Sequence, residues 1–287
     1  MEDIIKFILE DIVNNVIMSS KIIGAHINRE KTLKKTIEKL YSYGGNALQL
    51  FTSNPANCSP ANIDKYLKEY ETIKDLKCNF VIHSSYTINI ATLDPKQIEL
   101  NTKTIINDLW IANRFKAVGV IVHVGKFVKN KPSDCMKQMK VFLLDIIAFI
   151  KANDLIGTKI ILETAAGQGT EMLVNIDELI AFANEFDNNY FSLCFDTCHV
   201  WSAGFDIIEA YNKIQKETNS LINVIHFNGS KTPKGSLKDR HDSLFSETNT
   251  IPIDILNKFA HNLKDIMIIL ETPSESEYTK EIAFLYK

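Results

Sequence analysis

The stretch FSLCFDTCHVWSAGFD, residues 191–206, decides how this chain is read. Its first half is a β-rich apolar run of the kind expected from a strand covered on both faces. The run stops on Asp196, and within three residues a thiol (Cys198) and an imidazole (His199) follow, while Cys194 precedes the acid by two. The place reads as a strand giving way to a loop. Three chemistries are open there: a zinc–thiolate site, a reactive cysteine, or a carboxylate–imidazole site in which the thiols are bystanders.

The same phrase recurs along the chain. Short β-rich runs occur at IIGAHI (22–27), ALQLF (47–51), FVIHS (80–84), VGVIVHV (118–124), KIILET (159–164), FSLCFDT (191–197), INVIHFN (222–228) and IMIILET (266–272). Helix-like segments lie between them, at 31–43, 61–75, 97–115, 134–152, 175–186, 206–217 and 252–262, and 275–286 closes the chain. Strands alternating with helices imply parallel strands joined by crossovers. Eight such units make an α/β fold of the (β/α)8 TIM barrel type the first expectation for residues 21–287. An open doubly wound sheet is the alternative, disfavoured because no Gly-rich phosphate loop follows the first strand. Residues 1–20, MEDIIKFILEDIVNNVIMSS, place Ile4, Ile5, Ile8, Leu9, Ile12, Val13, Val16 and Ile17 on one stripe, which predicts an extra N-terminal amphipathic helix. Its acidic residues argue against a signal or transit peptide.

Composition sets outer bounds. The 287 residues are 45% hydrophobic and 23% charged with a net charge of −3, so a nucleic-acid surface has to be a local basic patch. Five cysteines without paired spacing argue against a disulfide framework and for a reducing, intracellular setting. No apolar run has the length of a membrane span. About twenty residues, GSKTPKGSLKDRHDSLFSETNT, separate the seventh strand from the next helix, and a connection that long in a compact fold is usually functional.

Titratable residues fall at matching places. His83, His123, Glu163, Asp196, His226 and Glu271 end strands three to eight; His199 follows one loop later, and Asp239 and His241 form an Asp-x-His in the long connection. In a barrel, strand ends converge on the face that carries active sites. A lone strand-end histidine is more often a hydrogen-bonded structural residue, and a lone Glu-Thr can simply cap a helix. Six at equivalent positions are harder to explain that way, because clustered buried carboxylates need compensating cations. Imidazoles and carboxylates together suit zinc or another divalent first-row ion, and their number exceeds what one ion needs. The opening question then resolves toward the third chemistry. Asp196 and His199 join the ligand set, Cys194 fills the layer below Asp196, and Cys198 has no partner thiol.

With HSSYTIN (83–89), VHVGK (122–126), ETAAGQGT (163–170), DTCHVWSAGFD (196–206), HFNGSK (226–231), GSLKDRH (235–241) and ILET (269–272) in this order, the chain resembles the endonuclease IV family of apurinic/apyrimidinic (AP) endonucleases. The resemblance implies three zinc ions per chain, with manganese as a substitute. It assigns His83 and His123 to one ion, Glu163 as the bridge to a second completed by Asp196, His226 and Glu271, and His199, Asp239 and His241 to the third. The implied reaction is zinc-dependent hydrolysis of the phosphodiester 5′ to an abasic site in DNA base excision repair, leaving a 3′-hydroxyl, with 3′-phosphodiesterase activity beside it. Glu163 and Glu271 are the implied catalytic carboxylates, and the implied partner is double-stranded DNA, bound by a monomer.

Tyr86, Asn89, Lys126, Lys231, Lys234, Lys238 and Arg240 are the expected DNA contacts, with Lys129 and Lys131 extending the basic rim. Departures from the family pattern cluster in DNA-handling parts. FSET (245–248) keeps Glu247 but lacks the family's two glycines; Asn228-Gly229 stands for its Asn-Asp; Ala56 and Asn57 occupy the positions of its inserted arginine and glutamine. The other readings are a metal-dependent sugar isomerase or epimerase of the same barrel superfamily, and a DNA-binding barrel without catalysis.

Overall fold

The computed structural model describes residues 21–287, so the helix expected over 1–20 lies outside the described residues. Eight parallel strands close into a barrel in the order β1-β10-β7-β6-β5-β4-β3-β2, which excludes the open doubly wound sheet. They are β1 (Ile22–His26), β2 (Ala47–Phe51), β3 (Asn79–His83), β4 (Gly119–Val122), β5 (Lys159–Glu163), β6 (Phe191–Asp196), β7 (Ile222–His226) and β10 (Met267–Leu270). A two-residue antiparallel pair, β8 (Gly229–Ser230) with β9 (His241–Asp242), folds the long connection after β7 back on itself.

Nine α-helices are described: α1 (Leu33–Ser42), α2 (Ile63–Glu71), α3 (Pro95–Arg114), α4 (Pro132–Ala152), α5 (Ile176–Ala183), α6 (Thr197–Ser202), α7 (Ile207–Glu217), α8 (Ile253–Asn262) and α9 (Tyr278–Leu285). Their starts are written in the sequence. Thr32, Asn62, Asp94, Asn175 and Asp206 each accept a first-turn N–H, and Pro95 and Pro132 occupy first-turn positions where a missing N–H costs nothing. Two expectations are corrected. The loop expected after Asp196 is helix α6, capped by Asp196 itself, and the segment 275–286 is a 3-10 turn followed by α9.

Strand alternation makes two cores from one set of strands. Outward residues such as Ile23, Leu48, Ile82, Ile160 and Leu162 pack against the helices. Inward residues Ala47, Val81, Ile121, Ile161, Cys194, Val224 and Ile269 form a closed apolar layer inside the barrel, in which the Cys194 sulfur lies within reach of Glu163 and His226 in the level above. At β1 the same level is Gly24, because a Cβ there would sit 1.6 Å from the Ala47 carbonyl oxygen. The site is built one pleat above this layer.

Candidate metal centre

Two residues beyond each apolar position, the inward side chains turn polar: Gln49 above Ala47, His83 above Val81, His123 above Ile121, Glu163 above Ile161, Asp196 above Cys194, His226 above Val224 and Glu271 above Ile269. His199 is added by α6, whose first turn is fixed because Asp196 Oδ1 accepts the His199 N–H at 2.8 Å. The β8–β9 pairing places His241 opposite Ser230 and so returns Asp239 and His241 to the barrel mouth. His83, His123, Glu163, His199, Asp239, His241 and Glu271 line one cavity of about 340 Å³, with Asp196 and His226 fully buried at its base.

Glu163 stands at the centre. Its Oε2 lies 3.0 Å from His123 Nε2 and 3.4 Å from His83 Nε2; its Oε1 lies 2.8 Å from His226 Nδ1. The two oxygens therefore face different imidazoles, as a bridging carboxylate requires. His226 Nδ1 is also 3.1 Å from Glu271 Oε2 and 3.8 Å from Asp196 Oδ2. Asp239 faces His199 Nε2 at 3.3 Å and His241 Nε2 at 3.4 Å, and the latter is 3.4 Å from Asp196 Oδ2. Among the described residues, ligand atoms of His83, His123 and Glu163 lie within 4.8 Å of one another, as do those of His83, His226 and Glu271, and of Asp196, His199 and His241.

The imidazoles are oriented by their outer nitrogens. His83 Nδ1 contacts the Ser84 carbonyl at 2.8 Å, His199 Nδ1 the Thr164 carbonyl at 2.8 Å, and His241 Nδ1 the Glu271 carbonyl at 3.4 Å. A carbonyl only accepts, so Nδ1 carries the proton and Nε2 presents its lone pair to the cavity. Among the described residues, Nε2 of His199 and of His241 are buried without a hydrogen-bond partner, although carboxylates lie close by. Two aimed, unpartnered nitrogens beside Asp196 and Asp239 fit a cation, and the nitrogen–oxygen donor set fits zinc.

Burial alone pushes a carboxyl up, and Asp108, whose one hydrogen bond among the described residues comes from the Thr52 hydroxyl, is pushed to about 7. Glu163 is just as buried, yet His226 and His123 hold it well below the usual carboxylate range. Burial also opposes Glu271, but His226 and His241 bring it down to about 2. His226 and His199 respond in kind. Burial opposes their charge, while Glu271 and Glu163 around the first, and Asp196 and Asp239 around the second, raise them well above the ordinary imidazole value. Cys198 lies within reach of Asp239 and His241, but burial raises its thiol to about 12, which favours the neutral S–H.

The expected DNA contacts spread around the mouth. Tyr86 is 51% exposed, lines the cavity and meets Phe51 edge-on at 6.1 Å. Lys231, Lys234, Lys238 and Arg240 are exposed on the β8–β9 excursion, where the Lys234 ammonium lies over the Trp201 ring and Arg240 reaches Gln168 Oε1 at 3.1 Å. Lys126 is half-buried, 3.4 Å from Glu171 Oε1, with exposed Lys129 and Lys131 beyond it. Asn89 is placed differently from a free contact: its amide spans the Lys126 main chain, donating to the carbonyl and accepting the N–H, both at 2.9 Å. Ala56 and Asn57 are exposed on the loop after β2.

Several residues escaped sequence reasoning. Gln49 donates to Glu271 Oε1 at 2.6 Å and faces His226 Nε2 at 2.8 Å, with His26 3.5 Å away. Asn228 donates to Asp196 Oδ2 and accepts the Glu271 N–H, both at 2.8 Å. Gln168 Oε1 accepts the Asp239 N–H at 3.2 Å. A signal existed for the first: Gln49 is the one polar residue of ALQLF and has the inward parity.

Residues 37–287 match the family model described as xylose isomerase-like TIM barrel. The chain is 30% identical over 279 residues to a protein named "Probable endonuclease 4" from Clostridium botulinum, covering 92% of this chain and 97% of that protein. It is 31% identical over 281 residues to the protein of the same name from Mycoplasma mobile, again covering 92% and 97%. Among solved structures, endonuclease IV from Thermus thermophilus superposes with a TM-score of 0.69 at 23% identity, over 92% of this chain and 98% of that one. A D-tagatose 3-epimerase-like protein superposes as well, with a TM-score of 0.71 at 22% identity over 89% and 94%. The structural likenesses share a barrel across different chemistries, so the sequence relatives decide: the chain belongs to the endonuclease IV family within the xylose isomerase-like TIM barrels.

Proposed function

We propose that the protein is a zinc-dependent AP endonuclease that hydrolyses the phosphodiester 5′ to an abasic site in double-stranded DNA and leaves a 3′-hydroxyl. The observation that carries this reading is the arrangement of nine nitrogen- and oxygen-donor residues centred on Glu163, extended past Asp196 to the unpartnered Nε2 atoms of His199 and His241. A sugar epimerase of this barrel needs one or two ions and has little use for His123, His199 and His241. His83 and His123 would hold one ion, Asp196, His226 and Glu271 a second, and His199, Asp239 and His241 a third, with Glu163 shared between the first two. Zinc bound there supplies Lewis acidity and lowers the pKa of water toward neutrality.

The chain's own groups do the rest. Glu163 holds two halves of the centre at fixed separation through its two oxygens. Glu271, oriented by Gln49 and by its N–H on Asn228, is placed to position the attacking water. Lys126, Lys231, Lys234, Lys238 and Arg240 neutralise backbone phosphates on either side of the cavity. Tyr86, exposed at the rim, props the gap left when the abasic sugar turns out of the helix. Removal of 3′-blocking phosphoglycolates or phosphates uses the same groups, since the scissile phosphate lies in the same place. The test is incision of a duplex carrying one abasic site, before and after prolonged chelation, with zinc added back. Incision lost on chelation and restored by zinc is expected; full incision by metal-free protein, or epimerisation of a ketose with no incision, overturns the proposal.

A further inference from the structure

Resting on that reading, we infer that Gln49 is a positioning residue for the second metal: its single carboxamide turns His226 and Glu271 toward one ion at once. The assignment follows from what each atom can do. A carboxylate at these surroundings accepts, so the Gln49 atom 2.6 Å from Glu271 Oε1 is the NH2 group. The other end, 2.8 Å from His226 Nε2, is then the carbonyl oxygen, and it accepts a proton carried on Nε2. His226 is left to offer Nδ1, the nitrogen that lies 2.8 Å from Glu163 and 3.1 Å from Glu271.

This imidazole is reversed with respect to its neighbours. His83, His199 and His241 place Nδ1 on main-chain carbonyls and offer Nε2. Only for His226, among these four, does a side chain set the tautomer, and that side chain stands fully buried on β2, a strand that gives no ligand of its own. The second NH2 hydrogen points toward His26 Nδ1 at 3.5 Å. The amide therefore has a partner at each end, and these polar contacts add to the packing of a fully buried side chain in fixing its plane. Outer partners of this kind change metal affinity when removed, by about 10–100-fold.

The experiment measures zinc affinity by chelator competition on the full chain without DNA. Gln49→Met keeps the length and removes both polar ends; Gln49→Asn keeps the amide but retracts it by one methylene, out of reach of one partner or the other. Each is expected to weaken the affinity for one ion by about 10–100-fold. Leu50→Ala, on the outward face of the same strand, controls for a loss that is merely structural: it should lower the melting temperature and leave zinc affinity within about threefold. Zinc affinity unchanged in both Gln49 variants, or lowered as much by Leu50→Ala, overturns the inference. Because the readout needs no DNA, a parent that binds zinc but leaves abasic duplex intact counts against the endonuclease proposal and leaves this one standing.

Discussion

Ile161 and Glu163 sit two residues apart on β5, both fully buried and both pointing into the barrel, yet one belongs to an apolar plug and the other to the candidate metal centre. The same step separates Val81 from His83, Ile121 from His123 and Val224 from His226. One pleat of the strand divides stability from chemistry. The lower layer closes the barrel with side chains worth about 1.5–3 kcal/mol each on burial. It also makes a dry floor, and the upper layer can then concentrate charge that would otherwise be dispersed by water.

The largest effect that can break this contrast is expected at Glu163. Glu163→Ala should lower incision by at least about a hundredfold, since it removes the carboxylate that would be shared between two ions and so the water they would acidify. Ile161→Ala should cost about 2–5 kcal/mol of stability through the cavity it leaves, with incision per folded molecule changed less than tenfold. Similar activity losses in the two would erase the distinction between the layers. Lys126→Ala gives a reference on the rim, where one phosphate contact is worth about 1 kcal/mol.

A smaller effect tests whether the rim acts through DNA shape. Ala56 and Asn57 are too short to fill a base-sized gap, so Tyr86 should carry more of the wedge role. Tyr86→Ala is expected to lose incision mainly on duplex, by about tenfold or more given the few kcal/mol needed to unstack a step. Equal losses on the same lesion in single-stranded DNA would make Tyr86 a packing residue on Phe51. Replacing Lys231, Lys234 and Lys238 together should weaken duplex binding regardless of sequence and flatten its salt dependence by up to about three units of slope. An unchanged slope would place those ammonium groups away from the phosphates.

The smallest effect lies outside both layers, at Asp108. Its folded carboxyl is at about 7 against an ordinary 3.8, so the unfolded chain releases the proton first as pH rises. Between about pH 4 and 7 Asp108 therefore contributes stability that falls with rising pH, while His26, held down at about 4 by burial, works in the opposite direction over much of the same window. Relative to the parent, Asp108→Asn should gain a few degrees of melting temperature from the bottom of this window to the top and leave incision untouched. A variant that loses ground to the parent as pH rises would reverse the sign.

The eight strands were legible because two of their features are strong: apolar runs bounded by turns and, on six of them, a titratable residue at the end. Asp196 and His226 could be read as strand-end ligands from that pattern alone. Helix α6 was not legible, since six residues make fewer than two turns and show no amphipathic period. The β8–β9 pair is a two-residue ladder, too short for alternation to register, and only its pairing shows how Asp239 and His241 return to the mouth. Gln49 carries only a weak sequence signal, because a lone amide in ALQLF bears no charge. For Asn89, the sequence cannot show that its amide is engaged by the Lys126 main chain.

Counting metal on the purified chain is the shortest route to the upper layer's purpose. Elemental analysis, with incision of abasic duplex measured on the same sample, should find about three zinc ions per chain in active protein. It should find fewer in Glu163→Ala, with activity falling in step. Full incision by protein holding a single ion, or by protein holding none, would contradict the reading of these nine residues as one polynuclear centre.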